Sequence, residues 1–91
     1  MEVKITEYNN ENTTITYEIS AIDNKSLEYL YKNLNEEDME KTGDKLKFKI
    51  HYKKELYPFQ SQESQLKIND YIAREEIEIK YYIESFLEDM D

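Results

Sequence analysis

Carboxylates are the reactive groups this chain has in quantity: 21 Asp and Glu against 12 Lys and Arg in 91 residues, for a formal net charge of −9. Cysteine is absent, so thiolate nucleophiles, disulfides and Cys-based zinc sites are excluded. His51 is the only histidine. It alternates with lysines in KLKFKIHYKK (residues 45–54), which places it on a polar strand face. That is a surface residue, not a general base. With one Gly in the whole chain, a glycine-rich phosphate loop cannot be built. Glu36, Glu37, Asp38, Glu40 and Asp44 could gather round a hard cation, but they lack the spacing of a calcium loop. A pair of catalytic carboxylates needs a pocket that raises the pKa of one of them, and so short a chain has little core from which to make one. The expectation is a protein without catalysis, metal or cofactor.

Non-covalent chemistry is left. The acids come in two blocks. Residues 36–44 hold five acids and one base, and residues 63–91 hold nine acids and three bases. Residues 45–62 carry five bases and one acid. Such a charge opposes DNA, RNA and anionic membranes and favours a cationic partner. The candidate partner-binding residues are Glu36, Glu37, Asp38 and Glu40 in the first block. In the second they are Asp70, Glu76, Tyr81, Glu84, Glu88 and Asp91, on the polar side of a last helix, with Tyr81 adding rigid contact area.

The elements that must hold these residues can be read from hydrophobic period. Val3 and Ile5, then Ile15, Tyr17 and Ile19, alternate with polar residues on either side of Asn9-Asn10-Glu11-Asn12, which predicts a hairpin. Leu27, Leu30, Tyr31 and Leu34 form one helical stripe, capped by Asp23, Asn24 or Ser26 and ended by Asn35 in the left-handed conformation. Asp38–Lys41 reads as a short strand that turns at Thr42-Gly43-Asp44. In Lys45–Lys53, Leu46, Phe48, Ile50 and Tyr52 face the core. The lysines face outward toward Glu2, Glu18 or Glu40, and such a lysine row also suits a strand at the edge of a sheet. LYPFQSQESQ reads as a loop.

From residue 66 onward the period is mostly helical, with Asn69 or Asp70 as N-cap and Glu76, Lys80 and Glu84 pairing at i, i+4; residues 76–81 also alternate like a strand, but a strand there would leave the apolar residues from Tyr82 to Met90 without a place. Glu75 falls inside the apolar stripe, which fits a buried acid with a lysine partner, an interface residue or, as the default, a notch open to water. The sum is one α+β domain, residues 1–91. A small antiparallel sheet of three to four strands carries two helices on one face, the C-terminal one long. No signal-peptide core or membrane-length run is present, so the expected location is the cytoplasm.

In length, acidity and α+β make-up the chain resembles the small acidic proteins that phages direct against host defence, including anti-CRISPR proteins and other DNA mimics. The resemblance implies an inhibitor at work in a host bacterial cytoplasm. It would bind a basic, nucleic-acid-binding protein, such as a CRISPR effector or a nuclease, and block its nucleic-acid site without catalysis. Two other functions suit the same composition. One is an antitoxin or immunity protein that neutralises a basic toxin. The other is a structural or scaffold protein, including a homodimer, whose acidity serves only solubility.

Overall fold

The structure is a computed structural model and describes residues 1–90. Strands β1 (Glu2–Asn9) and β2 (Thr14–Ser20) form the expected hairpin. The Asn9 carboxamide closes its loop by accepting the N–H groups of Glu11 and Asn12. Helix α1 (Asn24–Asn33) follows, then β3 (Glu37–Thr42), β4 (Lys45–His51), a single 3-10 turn (Lys54–Leu56) and α2 (Gln65–Leu87). The sheet is antiparallel throughout, in the order β1-β2-β4-β3. Gly43, at φ +61, takes the first central position of the two-residue turn between β3 and β4.

One face of the sheet is apolar and both helices cover it. Ile15, Tyr17 and Ile19 of β2, with Leu46 and Phe48 of β4, are fully buried beneath Leu27 and Leu30 of α1 and Ile83 of α2. α1 lies over the β3–β4 side and α2 over β1. Burying such side chains is the main favourable term in a chain of this size, at roughly 1.5–3 kcal/mol each.

Several local expectations need correction. β4 lies inside the sheet between β2 and β3, so its lysines protect no edge. Glu2 sits on the far strand opposite Ser20 and cannot pair with them. α1 is capped by Asp23, which accepts from the Ser26 N–H and hydroxyl. It ends on Leu34 in extended conformation, not on a left-handed Asn35, because Leu34 must turn back into the core. α2 begins earlier than expected, with Ser64 as its N-cap in place of Asn69 or Asp70.

Two irregularities interrupt the alternation of the strands. Between Ile5 and Glu7 the register of β1 slips, and the extra residue moves the inward face from Val3 and Ile5 to Tyr8. Tyr8 then stacks on Phe59 with ring centroids 4.5 Å apart. Asp38, at φ +51, marks a similar slip in β3. The segment read as a plain loop is also anchored. Tyr57 and Phe59, either side of Pro58, are buried, and Phe59 meets Tyr71 of α2 edge-on.

Candidate functional site

The first acidic block lies largely on β3, the short strand expected there, and runs against the basic strand. Glu37 is opposite Lys49 and Glu40 is opposite Lys47 in the β3–β4 register. The Asp38 carboxylate is 3.3 Å from the Lys49 amine. Glu36, just before β3, accepts a 3.1 Å hydrogen bond from the Tyr82 hydroxyl of α2. Asp38 is thus ion-paired and Glu36 hydrogen-bonded, while Glu37 and Glu40 stand across from lysines of β4 without an ion pair within 4.0 Å.

The second block divides between two sides of α2. Asp70, Tyr81, Glu84 and Glu88 lie on the side away from the sheet and are exposed. Asp91 falls outside the described residues. Glu76 does not join the outer array. It lies on the flank of the helix beside β1, where its carboxylate accepts the backbone N–H of Ile5 at 2.8 Å. That bond occupies Glu76, and neither of the expected pairs, Glu76–Lys80 or Lys80–Glu84, forms within 4.0 Å. The i, i+4 pairs present are instead Lys67–Glu63 at 3.7 Å and Arg74–Asp70 at 3.4 Å. Among the described residues, Glu84 and Glu88 have no cation within 4.0 Å.

The outer side of α2 also bears apolar residues that no composition count reveals. Leu66 is 83% exposed, Ile77 53% and Tyr81 66%. Ala73, Ile77 and Tyr81 follow at intervals of four, so they form one line on the face opposite Ile79 and Ile83. The helix is thus apolar on two sides: one stripe enters the core and the other meets solvent among carboxylates.

Glu75 is neither a solvent notch nor a partner of lysine. It is half-buried and accepts a 3.2 Å hydrogen bond from the Tyr52 hydroxyl, which in turn contacts the hydroxyl of the buried Tyr17. Burial pushes the pKa of Glu75 above the usual carboxylate range, and the nearby charge of Glu78 adds to the shift. Tyr17 and Tyr52 are raised by burial well above the ordinary phenol value and stay neutral. Burial likewise raises Tyr57 to about 12, and its hydroxyl donates to Asn10 at 2.8 Å. No buried side-chain polar atom among the described residues lacks a partner. No three acids or histidines among the described residues come together as a metal site, and His51 is exposed at the end of β4. No helix among them is long and apolar enough to cross a membrane.

The pattern that defines a family of unknown function, DUF5750, matches residues 2–89. The chain belongs to that family. The DUF5750 match takes in every strand and both helices, so the outer face of α2 lies within the family's shared region. Among curated proteins, none matches the chain.

Proposed function

We propose that this member of DUF5750 is a non-catalytic binding protein that presents the outer face of α2 to a basic protein partner. The observation that carries the reading is the line of Ile77 and Tyr81, one turn apart and both more than half exposed, beside Glu84 and Glu88, which have no cation within 4.0 Å among the described residues. Scattered exposed apolar residues are ordinary on any protein. A row of them on one helix face, amid uncompensated carboxylates, is the surface of a helix that docks. The acids of β3 have lysine neighbours and are left out of this surface.

Such a surface can occupy a groove shaped for phosphates. Its carboxylates replace the phosphates, and Tyr81 and Ile77 supply apolar contact that a nucleic acid backbone does not. A basic nucleic-acid-binding effector would then be blocked by direct competition. The same physics serves an inhibitor of host defence and an antitoxin, and the partner's identity separates them.

The test is capture of partners from a bacterial lysate at low and high salt, with the wild type beside a Glu84→Lys/Glu88→Lys variant. A basic nucleic-acid-binding partner, released by salt, lost with the variant and displaced by its own nucleic acid, is the expected result. A partner indifferent to salt and to charge reversal, or no basic partner, overturns the reading.

A further inference from the structure

Of the two outer strands, β1 has the more regular edge. β3 is six residues long and is interrupted at Asp38, where φ is +51. β1 runs unbroken from Glu2 to Ile5 and holds no proline. The Ile5 N–H points out of the sheet, because Glu76 of α2 accepts it at 2.8 Å. In an antiparallel ladder the outward backbone groups recur at every second residue. Val3 therefore turns its own N–H and C=O outward, while its side chain enters the core. Beside these groups lies a shallow depression of about 310 Å³, between residues 1–4 and Ala73, Ile77 and Lys80 of α2. Glu76 and the register slip after Ile5 close the edge at one end.

We propose that this edge is a strand-addition site: an extended segment of a partner protein pairs with the backbone of Val3, sets an apolar side chain against Ala73 and Ile77, and places an acid beside Lys4. Glu76 shortens the pairing by holding the Ile5 N–H. A helix cannot be the occupant, because its backbone groups are spent on its own turns. Nor can the β1 of a second copy. α2 lies over β1, so two copies would set their helices above strands about 4.8 Å apart, whereas packed helices need about 8–10 Å. The acid follows from the charges of the exposed face. Glu40, Lys47, Glu18 and Lys4 form a row across the sheet, and the next position beyond Lys4 is open. Among the described residues, neither Lys4 nor Lys80 has a carboxylate within 4.0 Å. This site is on the sheet edge and leaves Tyr81, Glu84 and Glu88 uncovered, so it stands or falls apart from the outer face of α2.

The test uses a synthetic peptide of about eight residues in which valine and threonine alternate and one central threonine is replaced by glutamate. Two further forms are N-methylated at alternate residues, so that each loses the N–H groups of one edge. Fluorescence anisotropy at physiological ionic strength should show binding that one methylated form loses and the other keeps. Saturating peptide should slow hydrogen exchange at the Val3 amide. Glu76→Ala, checked for fold by circular dichroism, frees the Ile5 N–H and should tighten binding about three- to tenfold. Glu76→Gln, which keeps an acceptor, should bind as the wild type does. A peptide with lysine in place of the glutamate should bind several-fold more weakly, although the protein's net charge of −9 favours it. Glu84→Lys/Glu88→Lys should not weaken peptide binding, so loss of lysate capture in that variant speaks only to the outer face of α2. Equal behaviour of the two methylated peptides, an unchanged Val3 amide, a Glu76→Ala protein that binds no more tightly, a preference for the lysine peptide, or no binding at all overturns the proposal.

Discussion

Glu18 of β2 stands directly across the sheet from Lys47 of β4. Their row extends in both directions, to Lys4 on β1 and Glu40 on β3, so the exposed face is crossed by charges that alternate over all four strands. The closest contact of Glu18 is diagonal, 4.0 Å to the Lys45 amine. The basic stretch KLKFKIHYKK is therefore the counter-charge of its own sheet.

Reversing Lys47 should show this. Lys47→Glu sets like charges against both neighbouring strands and should cost about 1–2 kcal/mol in urea unfolding, given about 0.2–1 kcal/mol for each cross-strand pair. Lys47→Gln should cost roughly half as much. Adding Glu40→Lys to Lys47→Glu should restore part of the loss.

The tyrosine chain predicts an asymmetry. The Tyr52 hydroxyl gives its proton to Glu75, so Tyr17 must donate to Tyr52. Tyr52→Phe then leaves a fully buried hydroxyl unpaired and should cost about 1–3 kcal/mol. Tyr17→Phe removes a donor and leaves the Tyr52–Glu75 bond intact, and should cost about 1 kcal/mol or less. The double variant should be more stable than Tyr52→Phe alone. Denaturant midpoints of the three proteins check the order.

Glu75 gives a pH dependence of definite sign. Its pKa in the fold lies above the ordinary value of 4.5, chiefly through burial. Ionised Glu75 therefore opposes folding above the raised pKa, and that penalty fades as pH falls through it toward the ordinary value. Glu75→Gln should be more stable than the wild type at pH 7, by roughly 0.5 kcal/mol because the group is partly in water. The difference should vanish as the pH falls to that ordinary value. Thermal unfolding of both proteins across this range is the measurement.

Neighbouring positions on α2 should behave as opposites. Ile83→Ala empties a fully buried site and should cost about 2–5 kcal/mol. Tyr81→Ala, two residues earlier and 66% exposed, should stay within about 0.5 kcal/mol. Binding should reverse the ranking once Ile83→Ala is compared at a temperature where it remains folded.

The strands and helices were legible because their period is regular. Ile15, Tyr17 and Ile19, or Leu46 and Phe48, allow no other face to be buried. What escaped the sequence is what breaks the period or depends on a distant partner. The register slip after Ile5 turns Tyr8 inward, and its only trace is that Val3 and Ile5 do not continue to residue 7. Tyr57-Pro58-Phe59 has the i, i+2 spacing of a buried pair, but Pro58 suggested only a break. For the candidate site, Glu84 and Glu88 fell on the outer face as their helical angle requires. Glu75 and Glu76 sit at the margins of the core stripe, where a few tens of degrees decide between water, a tyrosine hydroxyl and a backbone amide. Of the exposed line, Tyr81 was read on the outer side of the helix, whereas Ile77, which falls outside the core stripe, was not singled out.

The bond from the Ile5 N–H to Glu76 makes a single proton a gauge of the last helix. Ile5 lies on an outer strand, and its amide would exchange readily with solvent if α2 were not in place. Its exchange rate therefore counts how often α2 lifts from β1. A partner that grips the helix should slow that one proton more than amides deeper in the sheet, so occupancy can be read from inside the molecule before the partner itself has been characterised.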